Sequence, residues 1–177
     1  MHTYWNFLKK VDNFQDRVLT ISHRYWEFTK KGVSAPFTSI DTIDWVVIIP
    51  TLKSGEFVLV EQFRPVVESV TIEFPGGGIN NNEPPIDAAI RELEEETSLR
   101  AEEIREIGIL RPNPAIMSNT CYVYHAKNCT FSGSYNFDQF EDINVKTYSK
   151  EMLERMIISG EINHSIVVAS YALYKLI

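Results

Sequence analysis

Cysteine is scarce in this chain: two residues in 177, Cys121 and Cys129, at a separation that suits no metal site. That argues against a disulfide scaffold or a cysteine-ligated zinc centre and leaves two buried, inert thiols in an intracellular protein. No apolar run approaches the ~20 residues a membrane-spanning helix needs, and no signal peptide opens the sequence. The expectation is a soluble, cytoplasmic protein with no membrane partner. Positive charge is also short, with 17 Lys and Arg against 24 Asp and Glu, a net charge of −7 and no basic patch. A nucleic acid polymer is a poor partner for such a surface, and an anionic small substrate would need bridging metal ions. Internal repeats and low-complexity segments are absent. What remains, at 44% hydrophobic, is enough for one good core with a small appendage.

The stretch that organises the chain runs from Gly77 to Leu99. It opens as a glycine-rich turn and continues as a helix, with Pro84 and Pro85 suited to a first turn where a missing N–H costs nothing. Ile86, Ala89, Ile90 and Leu93 fall at i, i+3, i+4 and i+7 and predict one buried stripe. Glu92, Glu95 and Glu96 share a neighbouring face, and Arg91 stands four residues before Glu95, the distance for a brace. Like charges so placed repel by roughly a few tenths of a kcal/mol per pair. A hard divalent cation would neutralise them; a solvated acidic face is the ordinary alternative that spacing alone leaves open.

Along the rest of the chain, Met1 to Phe14 reads as irregular. Arg17 to Thr29 reads as a strand, Lys31-Gly32 as a turn, and Val33 to Ile40 as a returning strand with Pro36 at its edge. Asp44 to Pro50 is a continuous apolar run, the pattern of a strand covered on both faces. Phe57 to Phe63 returns after a turn, and Thr71 to Phe74, Ile107 to Leu110, Thr120 to Ala126 and Ile143 to Tyr148 are further strands. Thr130 to Phe140 reads as a loop. Ser149 and Gly160 bracket one helix, and a last one spans about Asn163 to Leu176. The predicted class is an α/β or α+β sandwich, with a hairpin segment at residues 1–40 before a main domain at 41–177.

Gly77, Glu83, Arg91, Glu92, Leu93, Glu95, Glu96 and Leu99 fit the pattern G-x5-E-x7-R-E-U-x-E-E-x-G-U, where U is aliphatic. This resembles the Nudix box, the signature of metal-dependent hydrolases of nucleoside diphosphates linked to another group. One fixed position departs: Ser98 stands where the family has glycine, at a helix exit where a left-handed residue is favoured. Outside the box, Glu61-Gln62-Phe63-Arg64-Pro65, Glu73-Phe74-Pro75-Gly76-Gly77, Pro114, Phe140-Glu141-Asp142-Ile143 and Gly160-Glu161-Ile162 resemble the ADP-ribose pyrophosphatase branch. The resemblance implies a mixed sheet between helices with an N-terminal β-hairpin extension, exchanged between the subunits of a homodimer in relatives.

It also implies an activity: hydrolysis of the diphosphate bond of ADP-ribose or a related nucleoside diphosphate sugar to a nucleoside monophosphate and a sugar phosphate. The alternatives are a dinucleotide or nucleoside triphosphate pyrophosphatase and, from another class, a non-catalytic sensor of nucleotide sugars. Mg²⁺ or Mn²⁺ would be held by Glu92, Glu95, Glu96 and the carbonyl of Gly76. Arg91 would orient a ligand glutamate, and Glu83 would brace the start of the helix. The general base would come from a loop holding Asp138, Glu141 and Asp142, with Glu141 the chosen candidate. Arg64 would grip substrate or form a strand-end ion pair; Glu73 and Pro114 join it as substrate-binding positions. Trp26 and Phe28 offer flat surfaces to a nucleobase, with core or dimer packing as the competing role. His164, near a helix start, reads as structural.

Overall fold

The computed structural model describes residues 4–133 and 143–177, in two compact units. Residues 1–43 and 111–120 form the first, residues 44–110 and 121–177 the second.

In the first unit, β1 (Trp5–Gln15), β2 (Leu19–Phe28) and β3 (Val33–Thr42) form an antiparallel sheet with β2 in the middle. The expected hairpin is there, but the stretch read as irregular is its third strand. Every residue of β1 is exposed, so it has no buried face to give it a period. Its pairing with β2 from Trp5↔Phe28 to Gln15↔Thr20 holds it instead, interrupted by two register shifts. Beneath this sheet lies a polar cluster in which Ser22 donates to Asp12 and Asp41, and Lys10 and Arg24 pair with Asp41. The 111–120 loop joins β3 through Ile40 N–H to the Ile116 carbonyl (2.7 Å) and Ser118 N–H to the Ile40 carbonyl (3.2 Å).

The second unit is a mixed sheet between helices, as the sequence implied. Its strands are β4 (Trp45–Leu52), β5 (Phe57–Arg64), β6 (Ser69–Glu73), β7 (Gly76–Gly78), β8 (Leu99–Arg100), β9 (Glu103–Leu110), β10 (Cys121–Phe131) and β11 (Ile143–Tyr148). The central order is β11-β5-β4-β10-β8, with β4 and β10 parallel and the other pairings antiparallel. The helices are α1 (Pro85–Thr97), α2 (Lys150–Ser159) and α3 (Ser165–Lys175). Ala88, Ala89 and Leu93 of α1 pack on Val46, Ile48 and Val58, while Leu153 and Met156 of α2 and Val167 and Tyr171 of α3 pack with Ile49, Phe57 and Leu59. Successive residues of β4 thus feed opposite cores, which is why that strand is apolar from Trp45 to Pro50. Cys121 and Cys129 are free and buried, and burial pushes their thiols up to about 12 and about 11. Among the described residues no helix is long and apolar enough to cross a membrane.

Two local readings change. Gly76–Gly78, taken as a turn, is a short strand on β4 with Val47 opposite Gly76 and Trp45 opposite Gly78. The buried stripe of α1 is also rotated: Ile90 is 42% exposed and Ile86 only half-buried, while Ala88, Glu92 and Glu96 lie inside. Glycine and alanine let α1 approach the sheet closely, and the face that fits there carries the carboxylates.

Candidate active site

A cleft of about 490 Å³ opens in the second unit between α1, β7, the β5–β6 ribbon and the start of α3. Glu92 and Glu96, 9% and 4% exposed, form one wall with Glu95 and Arg91. An α-carbon substituent on Gly77 would collide with a Glu92 carboxylate oxygen, and one on Gly76 with the Val46 carbonyl. Bare backbone is therefore required at Gly76, so that β7 can pair with β4, while at Gly77 it lets Glu92 lie against β7 where any side chain would push that carboxylate aside. The Gly76 N–H donates to Glu96 Oε2 at 2.9 Å.

Arg91 is the hub of the acidic wall. Its guanidinium donates to Glu83 (2.8 and 3.0 Å), Glu92 (2.7 Å), Glu95 (3.1 Å) and the Gly78 carbonyl (3.0 Å). The expected i, i+4 brace to Glu95 is present and is one of four anchors. Glu83 first, then Glu92 and Glu95, hold Arg91 protonated against the cost of its partial burial. Reciprocally, Arg91 and the Asn80 N–H bring the Glu83 carboxyl down to about 2. Glu83 is thus a brace for the helix start, as read, and joins that start to the carboxylate wall.

Across the cleft, Arg64 gives both edges of its fork to Glu73 (2.8 and 2.9 Å), and Thr71 donates to the same carboxylate. Burial alone would raise the Glu73 carboxyl; the bonds from Arg64 and Thr71 outweigh it and hold it below the ordinary range. Gln62, buried on β5, and His164, Ile166 and Val167 at the start of α3 complete this side. Antiparallel pairing of β5 with β6 (Arg64↔Ser69, Gln62↔Thr71) brings these residues together. The strand-end ion pair expected as one role of Arg64 is present, with Glu73 as its partner, while Gln62 was not singled out in the sequence.

At the exit of α1, Ser98 takes the left-handed conformation (φ 54°, ψ 26°) that its place in the box asks for, and its N–H bonds the Glu94 carbonyl at 2.9 Å. Its hydroxyl is buried and has no hydrogen-bond partner among the described residues. The serine therefore keeps the shape expected of glycine, at a cost in strain and desolvation.

The remaining candidates lie elsewhere. Trp26 and Pro114 belong to the first unit, where both line a hollow of about 260 Å³ with Arg24 and Phe37. Phe28 stacks on Trp5 with ring centroids 4.8 Å apart, and Trp26 meets Phe7 edge-on at 5.3 Å. Glu141, with Asp138 and Asp142, lies outside the described residues.

The donor set suits a hard divalent cation: three carboxylates on adjacent turns, two of them buried, and bare backbone at Gly76 and Gly77 against which a carboxylate already rests. Among the described residues, no three His, Cys, Asp or Glu side chains stand together as a ready ligand group, since Glu92 and Glu95 are turned onto Arg91.

Comparison with known proteins bears on this arrangement. Residues 42–157 match the NUDIX domain. An ADP-sugar pyrophosphatase of Mus musculus is 38% identical over 111 residues, 60% of this chain and 44% of that protein. An ADP-ribose pyrophosphatase of Bacillus subtilis (strain 168) is 26% identical over 118 residues, 66% of this chain and 64% of that one. The matches thus span about half the length of these curated relatives. A crystal structure described as an ADP compounds hydrolase shares the fold with a TM-score of 0.86, covering 98% of this chain and 93% of that chain at 20% identity. The domain match takes in the acidic helix, β7 and the β5–β6 ribbon, and the chain belongs to the Nudix hydrolase family.

Proposed function

We propose that this protein hydrolyses the diphosphate bond of ADP-ribose or a related nucleoside diphosphate sugar, releasing a nucleoside monophosphate and a sugar phosphate. The observation that carries the reading is the pair of buried carboxylates, Glu92 and Glu96, beside Glu95 on the wall of a cleft roomy enough for a small ligand. Water would normally solvate such acids, and their burial beside bare glycine backbone favours a cation as their working partner.

Nudix hydrolases generally use divalent cations, and here Mg²⁺ or Mn²⁺ is the proposed choice, held by Glu92, Glu95, Glu96 and the Gly76 carbonyl. Such an ion supplies charge to the phosphate oxygens and lowers the pKa of a bound water. The chain's own residues do the rest. Arg91 fixes the direction of Glu92 and Glu95, and the Gly76 N–H fixes Glu96. Arg64 and Glu73, locked to each other, form a rigid opposite wall against which the substrate is placed. Glu141 is the proposed general base. Trp26, Phe28 and Pro114 are the proposed nucleobase contacts, supported by the hollow that Trp26 and Pro114 line.

A homodimer is proposed as well, supported by the apolar side chains Trp5, Phe7, Val11 and Phe14 left exposed on β1. The two buried free thiols support a reducing, cytoplasmic setting.

The test is purified protein with Mg²⁺ or Mn²⁺ and a panel of ADP-ribose, other nucleoside diphosphate sugars, dinucleotides and nucleoside triphosphates. Monophosphate release from a nucleoside diphosphate sugar, abolished by a chelator, is the expected result. Preferential cleavage of a dinucleotide or triphosphate would move the substrate class. Binding without turnover, measured by calorimetry, would make the protein a sensor and defeat the proposal.

A further inference from the structure

His164 precedes α3 and caps it with backbone alone, since its side chain makes no capping bond. His164 lines the cleft together with Gln62, Arg64 and Glu73. Its Nδ1 is buried and has no hydrogen-bond partner among the described residues. A buried ring nitrogen without a partner is costly, and a bound molecule toward which the ring turns would relieve that cost.

The neighbours narrow the chemistry of that molecule. Arg64's charge is matched edge for edge by Glu73, so this wall presents no surplus cation to a phosphate. Glu73 Oε2 accepts from Arg64 and keeps acceptor capacity, and Gln62 brings a buried amide to the same cleft. A carboxylate, an amide and an imidazole suit groups that both donate and accept. Ile166 and Val167 add apolar surface beside them. Hydroxyl groups on a sugar ring fit such a wall, and a phosphate would meet the Glu73 charge.

We infer that His164 is a positioning residue for the sugar of the substrate, hydrogen-bonding a hydroxyl of the group that leaves as the sugar phosphate, opposite the carboxylate wall. The inference rests on the diphosphate-sugar reading above and names the part of the cleft that distinguishes a sugar-linked diphosphate from a plain one.

The experiment compares wild type, His164→Ala and His164→Gln with ADP-ribose as substrate and ADP, which has the diphosphate but no second sugar, as competitive inhibitor. In His164→Ala, KM for ADP-ribose rises about tenfold, the worth of one hydrogen bond, with kcat within about twofold. The inhibition constant of ADP stays put, and His164→Gln, which keeps a donor and an acceptor, recovers most of the loss. An unchanged KM, or an equal rise in the ADP constant, overturns the inference. So does equal impairment of both variants together with a lowered unfolding midpoint, the mark of a structural role. A second measurement needs no turnover: ribose 5-phosphate is titrated into isotope-labelled wild type, and the imidazole signal missing from His164→Gln is followed. A shift of that signal is expected, and its indifference to saturating ribose 5-phosphate overturns the inference. A wild type inert on every nucleoside diphosphate sugar would defeat the proposed function instead.

Discussion

The two faces of one sheet are covered by helices that treat their acids in opposite ways. On α1, Glu92 and Glu96 point inward beside Ala88, Ala89 and Leu93, and their charge is managed by Arg91 and the Gly76 N–H. On α2 the buried positions are Leu153 and Met156, and Glu154 stays at the surface, bonded by Tyr171 and Lys175 of α3. Both faces have a packed apolar core, so stability alone asks for no buried carboxylate on either. Buried charge is expensive and is seldom retained for stability. The difference between the faces supports the proposed placement of the metal site on the α1 side.

The largest effect expected from breaking this contrast is on turnover. Glu96→Gln keeps the shape and an oxygen able to accept the Gly76 N–H, yet removes one charge from the wall. Hydrolysis of ADP-ribose should fall by at least ~10²-fold with the unfolding midpoint little changed. Glu154→Gln, the matching change on the other face, should leave kcat and KM as they are. Equal rates for all three proteins would show that α1's buried acids serve no chemistry.

Next in size is the arginine that holds those acids apart. Arg91→Ala strands Glu83, Glu92 and Glu95 together. It should cost about 2 kcal/mol in urea unfolding, less than the ~3–5 of a fully buried pair because the Arg91 side chain is 28% exposed. Arg91→Lys should recover little, since a point charge cannot reach Glu83, Glu92 and the Gly78 carbonyl at once. Lys175→Ala, which unpairs Glu154 at the surface, should leave the midpoint within the scatter of the measurement. A comparable loss from both would mean that the α1 network is no more than a surface network.

How far this contrast could be read beforehand depends on whether the information is local. Local rules suffice for α2, where Ser149 accepts from the Met152 N–H and Gly160 closes the helix in the left-handed region. They suffice for β4, and for β11 at Ile143–Tyr148. They fail for β1, which buries nothing, and for the inward face of α1. There, side-chain periodicity favoured Ile90, while the fit of small residues and bare glycine backbone decided for Glu92 and Glu96. Within the cleft, the carboxylates and Arg91 were legible because they lie on one helix. A strand-end ion pair at Arg64 was legible too, but its partner Glu73 and the place of His164 were not, because strand pairing and the start of a distant helix bring them together.

A smaller effect is expected where α1 ends. Ser98→Gly relieves a left-handed serine and removes a buried hydroxyl without a partner among the described residues, against a gain of unfolded-state freedom. The balance is a stabilisation of about 1 kcal/mol, or about 2–4 °C in the unfolding midpoint. A lower midpoint would mean that the serine makes a compensating bond.

The smallest effect separates the faces by pH. His125 on β10 faces the α3 side, with Nε2 3.0 Å from Thr51 Oγ1 and its ring edge-on to Tyr174 at 5.0 Å. Burial lowers its pKa, Arg105 and Lys127 add to this, and Glu103 opposes it. The unfolded chain therefore binds a proton there that the native state refuses. Its stabilising contribution is complete above the ordinary histidine value of about 6.5 and is lost progressively as the pH falls below it. On the α1 side, Glu83 is lowered from 4.5 to about 2, so its contribution survives until the pH falls through that lower range. Urea unfolding between pH 7 and pH 5 should show stability declining with acid, and His125→Gln, which keeps a group able to bond Thr51, should flatten the decline. An unaltered slope in that variant would place the acid sensitivity on other groups and remove His125 from the contrast between the two faces.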